Sequence, residues 1–255
     1  MGKIIAIANQ KGGVGKTTTT VNLGAALAYL NKKVLMVDFD PQGNATQGVG
    51  AYNSTINKTS YDLLFSETDP KDIIKTLSVP PLSIIPATID LAGADLEMVE
   101  YKVGRETLLK NKLEMVRDDF DYILIDCPPS LGLLNTNAFT AADSVLIPVQ
   151  CEYYALEGLT QLLSTIRLIQ RLFNRKLVIE GVLLTMFDAR TNLSLEVQQE
   201  VRKYFKESTY KTHIPRSIKL SEAPSRGQSI FEYDVKSAGA KAYAALAKEV
   251  IAENE

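Results

Sequence analysis

Ile4-Ile-Ala-Ile-Ala8-Asn-Gln10-Lys11-Gly-Gly-Val-Gly-Lys16-Thr17-Thr18 runs from an apolar stretch, through a glycine-rich turn, into a helix-like segment, Thr17–Leu30. The apolar stretch does not alternate with polar residues, which is how a strand buried on both faces of a parallel sheet reads. Similar runs follow at Val34–Val37, Leu82–Ile85, Tyr122–Ile125, Val145–Val149 and Val178–Thr185. Helix-like segments lie between and after them at Arg105–Val116, Leu133–Ala141, Leu156–Leu172, Leu193–Phe205 and Ala238–Ala252. In the third of these, apolar residues at 156, 159, 162, 163, 166 and 169 keep helical spacing. Segment 50–62 is polar and is expected to form a surface loop. Segment 66–81, with Pro70, Pro80 and Pro81, is expected to be irregular.

Strand, glycines, Gly-Lys-Thr and helix in that order form a phosphate-binding loop. Gly12, Gly13 and Gly15 allow a tight turn that points backbone N–H groups inward, and the helix adds its positive end. Lys16 is placed to reach the β- and γ-phosphates of ATP, Thr17 to ligate Mg²⁺, and Thr18 to contact the α-phosphate. Val14 completes the loop. Strand–helix alternation around such a loop predicts an α/β fold, a P-loop three-layer sandwich with a mostly parallel central sheet and helices on both faces. Residues 1–255 are expected to form one domain. The loop departs from the common pattern at Gln10, where a glycine is usual, and in the extra Lys11. That lysine adds positive charge where phosphoryl transfer develops negative charge, though a lysine there can also be simply solvated.

Two aspartates, Asp38 and Asp40, close the second apolar run, and Asp126 closes Tyr122–Ile125. Ligands of open parallel sheets bind beyond the carboxyl ends of the strands. Asp126 has the form of a Walker B aspartate that holds Mg²⁺ directly or through water. Asp40 is placed to orient the attacking water, with Asp38 supporting it or the metal shell. Aspartates at strand ends also serve as turn or helix caps.

Composition narrows the classes. Hydrophobic residues make up 45% of the chain, enough for a sizeable core, and the net charge of −2 means any nucleic-acid contact needs a local patch. Two isolated cysteines, Cys127 and Cys151, and a single histidine, His213, argue against a disulfide scaffold or a zinc site. No signal peptide is evident and no stretch approaches the roughly 18 apolar residues of a membrane span, so a cytoplasmic location is expected. From Asp188 to Arg226, eight cations face five carboxylates, a surplus of three that leaves the rest of the chain with an excess of five negative charges. Such a segment suits phosphate-backbone contacts, or an ordinary solvated surface.

Taken together, KGGVGKTT, VDFDPQGN, DCPPSLG, PVQCEYYALEG, LLTMFDARTNL and Ile214-Pro-Arg-Ser-Ile-Lys-Leu-Ser-Glu-Ala-Pro-Ser resemble the ParA/Soj partitioning ATPases from about residue 3 to residue 250. The resemblance implies an ATP-bound sandwich homodimer in which Lys11 reaches the partner's nucleotide. It implies phosphate, magnesium and water roles for Lys16, Thr17, Asp40 and Asp126, and an adenine side lined by Met186, Asp188, Pro215 and Arg216. It further implies non-specific binding of double-stranded DNA on the nucleoid, slow basal hydrolysis stimulated by a ParB-type partner, and no stable membrane anchor. Arg190, Lys219 and Arg226 are the expected DNA contacts. Tyr153 and Tyr154 are expected to pack, with an interface role allowed. The alternative is a MinD-like membrane-positioning ATPase, but the acidic end Lys248–Glu255 lacks the basic amphipathic helix that class uses. An iron–sulfur carrier would need paired cysteines. A tyrosine kinase of the superfamily would need a terminal tyrosine cluster.

Overall fold

The computed structural model describes residues 1–52, 56–79, 81–152 and 157–254. Tyr153 and Tyr154 lie outside the described residues. Seven strands, β1 (Lys3–Ile7), β2 (Val34–Asp38), β3 (Lys75–Thr76), β4 (Leu82–Ile85), β5 (Tyr122–Asp126), β6 (Ser144–Gln150) and β7 (Val178–Thr185), form one sheet in the order β3-β4-β2-β5-β1-β6-β7. All pairings are parallel except that of β3, which runs antiparallel to β4 at the edge.

The buried runs split by parity, as the two-residue period of a strand requires. Ile4 and Ala6 of β1, with Leu35, Val37, Ile123 and Ile125, face one core; Ile5 and Ile7, with Val34, Met36 and Leu124, face the other. The first core is covered by α3 (Ser60–Phe65), α4 (Ala94–Glu100), α5 (Leu108–Glu114), α6 (Leu133–Ala141), α7 (Glu157–Leu172) and α8 (Asn192–Phe205). The second is covered by α1 (Lys16–Tyr29), α9 (Ile218–Glu222), α10 (Ile230–Asp234) and α11 (Ala238–Asn254). The short α2 (Asn44–Gly48) follows the β2 exit loop. The three-layer sandwich expected from the sequence is therefore the architecture observed.

In α7, Leu159, Leu162, Ile166 and Ile169 are buried; Leu156 lies outside the described residues. Two expectations need correction. Segment 50–62 does not remain a loop to its end, because Thr59 caps α3 in a capping box with Asp62, and Thr59 and Ser60 are buried. Segment 66–81 holds the strand β3 as well as irregular chain. Among the described residues no helix is long and apolar enough to cross a membrane.

Helix α1 is buried along nearly its whole length and packs on both the sheet and α11. Gly24 permits this approach: a Cβ there would stand 3.0 Å from Met36 Sδ and 3.3 Å from its Cγ. Overfilling a packed core costs about 1–3 kcal/mol, so Gly24→Leu is expected to lower stability by about 2 kcal/mol in urea unfolding. An unchanged midpoint would contradict the close α1–β2 packing.

Candidate nucleotide site

Strand β1 lies between β5 and β6, and its register sets Ile7 beside Asp126, which in turn sits beside Asp38 of β2. The loop leaving β1 thus rises next to two aspartates at the carboxyl edge of the sheet. Within it Gly13 and Gly15 adopt left-handed backbone, φ 74° and 89°, conformations that L side chains rarely adopt. Gly15 begins α1 without any side-chain cap, so the first-turn amides have no side-chain competitor for a phosphate. A Cβ at Gly12 or Gly13 would meet nothing within 4 Å, so the loop opens outward there. Its inner side is tied down: Thr185 Oγ1 donates to the Val14 carbonyl at 2.8 Å, and Asn9 Nδ2 donates to the Pro148 carbonyl at 2.7 Å.

Lys16 is buried and its ammonium donates to the Lys11 carbonyl at 3.3 Å. Burial lowers its pKa, opposed by the charges of Asp126, Cys127 and Asp40. The Lys11 side chain pairs instead with Glu152 at 3.3 Å, a half-exposed contact worth under about 1 kcal/mol.

The three aspartates crowd one another. Asp38 is fully buried; its Oδ2 accepts from Thr46 N at 2.8 Å and Thr46 Oγ1 at 2.6 Å, and Thr46 Oγ1 also accepts from Ala87 N at 2.9 Å. That network anchors α2 to the ends of β2 and β4. Asp40 is 7% exposed, and its Oδ1 accepts from Gln42 N at 3.0 Å. Asp126 is fully buried; its Oδ1 accepts from Thr20 Oγ1 at 3.2 Å while Oδ2 has no partner. Desolvation, followed by the charge of Asp38, pushes the Asp126 carboxyl up to about 8; the Thr17 hydroxyl and the Lys16 ammonium act in the opposite direction. Desolvation likewise raises Asp38. An unpartnered carboxylate oxygen beside a threonine hydroxyl is a hard donor set that suits Mg²⁺. Among the described residues no cluster of three or more acidic, thiol or imidazole groups forms a metal cage.

Beside the loop lies a cavity of about 470 Å³ lined in part by Gly15, Thr18, Thr185, Met186, Pro215 and Arg216, within the size range of small-molecule sites. Tyr243 closes it from α11, bonded to Thr19 at 3.2 Å. Met186 has φ 51°, an unusual backbone for a residue with a side chain, at the wall of the cavity. Asp188 is not brought to this wall. It accepts from Arg190 Nη2 at 2.7 Å, Nε at 2.9 Å and the Arg190 amide at 3.0 Å, and the pair holds its carboxyl at about 2. The expected adenine contact is thus engaged within its own turn.

The basic segment divides. Arg202, Lys206 and Lys211 share a cleft with Glu207, Glu249 and Glu253, where carboxylates offset them. Arg216 borders the cavity beside the loop, and Lys219 and Arg226 belong to the same 214–226 stretch. Lys219 lies 3.7 Å from Glu222 and over the Tyr233 ring. Arg190 is 89% exposed despite its pairing. His213 stacks on Phe187 and bonds Gln198 at 2.7 Å, a packing role. Buried Cys127 and Cys151 both have raised thiol pKa values, Cys151 to about 12, which leaves them unreactive.

Comparison with known proteins agrees with this geometry. A family model described as an AAA domain matches residues 2–179. The sporulation initiation inhibitor protein Soj of Bacillus subtilis is 62% identical over 252 residues, covering 99% of both chains. The chromosome-partitioning ATPase Soj of Treponema pallidum is 50% identical over 254 residues, covering 100% of this chain and 99% of its own. Among solved structures, a cobyrinic acid a,c-diamide synthase from Mycobacterium smegmatis with bound ADP and magnesium superposes with a TM-score of 0.86 at 37% identity, covering 98% and 94% of the two chains.

A carboxyl whose folded pKa is raised binds protons more tightly folded than unfolded. It therefore adds stability below the ordinary carboxylate range near 4 that is lost as pH rises through about 8. Asp126→Asn is accordingly expected to stabilise the nucleotide-free chain at pH 8 and to change it little at pH 4. Urea unfolding at both pH values checks this, and a variant less stable than wild type at pH 8 would refute the buried-charge reading.

Proposed function

Since the chain belongs to the ParA/Soj family of chromosome-partitioning ATPases, we propose that it works as an ATP-driven switch in DNA segregation. In this reading residues 1–255 act as one P-loop domain, ATP binding assembles a sandwich dimer, the dimer holds DNA without sequence preference on the nucleoid, and hydrolysis stimulated by a ParB-type partner releases it. The protein is an ATPase that uses Mg²⁺. The observation that supports the switch is the 214–226 stretch, which lines the nucleotide cavity through Arg216, Ser217, Ile218 and Pro224 and also carries Lys219 and Arg226. The cavity wall and the two cations thereby belong to one short segment.

Gly12–Thr18 hold the phosphates of their own subunit, and Lys16 neutralises the β/γ charge. Thr17 and Asp126 would hold Mg²⁺, which would supply charge neutralisation for the phosphates. Asp40 orients the attacking water. Lys11 leaves Glu152 to reach the partner's nucleotide, and the weak exposed pair sets a low cost for that exchange. Arg190 exchanges Asp188 for a DNA phosphate in the same way.

Filter binding of two unrelated duplexes with ATP, ADP and no nucleotide, at low and high salt, tests the switch. Retention is expected only with ATP, alike for both duplexes, falling steeply with salt; equal retention in all three nucleotide conditions would refute it. Arg226→Glu should weaken retention while leaving ATP affinity intact. Asp40→Ala should stop turnover yet leave a dimer with ATP by light scattering, and a monomer there would remove Asp40 from the hydrolytic step alone.

A further inference from the structure

The turn that leaves β2 carries Asp40, and residues outside the turn set its shape. Val37 pairs with Ile85 in the sheet, so the chain leaving β4 runs beside the chain leaving β2 and brings Ala87 against the turn. Ala87 holds it twice. Its amide donates to Thr46 Oγ1 at 2.9 Å, and its carbonyl oxygen stands 3.0 Å from where a Cβ on Gly43 would lie. Gly43 also has φ 62°, so both the close approach and the backbone call for glycine.

Thr46 is fully buried, and the directions of its hydrogen bonds are determined. A backbone amide can only donate. The Thr46 hydroxyl therefore accepts from Ala87 and sends its single hydrogen to Asp38 Oδ2, 2.6 Å away. The Thr46 amide donates to the same oxygen at 2.8 Å. The other oxygen of Asp38, Oδ1, accepts from the Asp40 amide at 3.4 Å, the loosest link of the series. Asp40 then accepts from the Gln42 amide on its own Oδ1 at 3.0 Å and from the Gly43 amide on its carbonyl at 2.9 Å. A chain of hydrogen bonds thus runs from the backbone of Ala87, through Thr46 and Asp38, to Asp40.

We propose that Thr46 is a positioning residue for ATP hydrolysis. Its hydroxyl orients the Asp38 carboxylate, and Asp38 holds the Asp40 turn at the angle from which Asp40 orients the attacking water. Three donors on its two oxygens commit the Asp38 carboxylate to the protein, which assigns it to the support of Asp40 rather than to the shell of the metal. The proposal rests on the reading of Asp40 as the water-orienting carboxylate and adds the parts that aim it. A misplacement of about 1 Å in such a group can cost on the order of a hundredfold in rate.

Thr46→Val and Thr46→Ala both remove the hydroxyl, the first at nearly constant volume, and Thr46→Ser keeps it. Hydrolysis and ATP affinity are measured for all three beside Asp40→Ala. The hydroxyl-free variants are expected to lose about tenfold to a hundredfold in kcat while ATP affinity stays within about twofold of wild type. Thr46→Ser should stay within about threefold of the wild-type kcat. Amide exchange followed by NMR reads the aim itself. The Gln42 and Gly43 amides, both bonded to Asp40, should exchange about tenfold faster or more in Thr46→Val and near the wild-type rate in Thr46→Ser. Wild-type kcat or unchanged exchange in the hydroxyl-free variants would overturn the proposal. So would a Thr46→Ser as slow as Thr46→Val, or kcat and ATP affinity falling together, the mark of a merely structural role. Asp40→Ala reports on the underlying reading separately. If it turns over at the wild-type rate that reading fails, and a slow Thr46→Val would then act by another route, which also overturns the proposal.

Discussion

The position of β1 in the middle of the sheet constrains everything at the carboxyl edge. With β5 on one side and β6 on the other, the strand has no freedom to slide, since a one-residue slip would exchange Ile4 and Ala6 with Ile5 and Ile7 between the two cores. The loop that leaves it must therefore emerge beside Asp126, and Asp126 beside Asp38. The glycine-rich loop and the Asp126 carboxyl are brought together by strand pairing, and the Thr17 hydroxyl then faces that carboxyl.

Local energetics at that edge run against stability. Three carboxylates sit almost out of water around one buried ammonium, and the carboxyl of Asp126 leaves one oxygen without a partner. Unpaired buried polar groups cost on the order of 1–3 kcal/mol each. The surrounding frame tolerates this because α1 and the central strands are almost wholly buried. Frustration concentrated at a binding edge is what a site awaiting a cation and phosphates requires.

Six of the seven strands and the phosphate loop were legible because their signals are local: unbroken apolar runs, and glycines at fixed spacing before Lys16 and Thr17. The two-residue β3 carries no pattern to read. Helices α3 and α10 did leave a trace, the Thr59/Asp62 and Ser229/Glu232 capping boxes, which sequence reading passed over. The partners that shape the site come from far along the chain. Thr185 meets Val14, Tyr243 meets Thr19, and Glu152 meets Lys11, and no periodicity links such pairs. Asp188 is held locally instead: Arg190, two residues away, binds it within one turn.

The unpartnered Oδ2 of Asp126 also fixes a proton inventory. A carboxyl held near 8 is largely protonated at neutral pH, whereas a carboxylate that ligates a divalent cation carries no proton. Direct ligation of Mg²⁺ by Asp126, as proposed above, would displace that proton into the solvent. The heat of binding would then include the ionisation heat of the buffer that accepts the proton, and the apparent affinity would strengthen with rising pH.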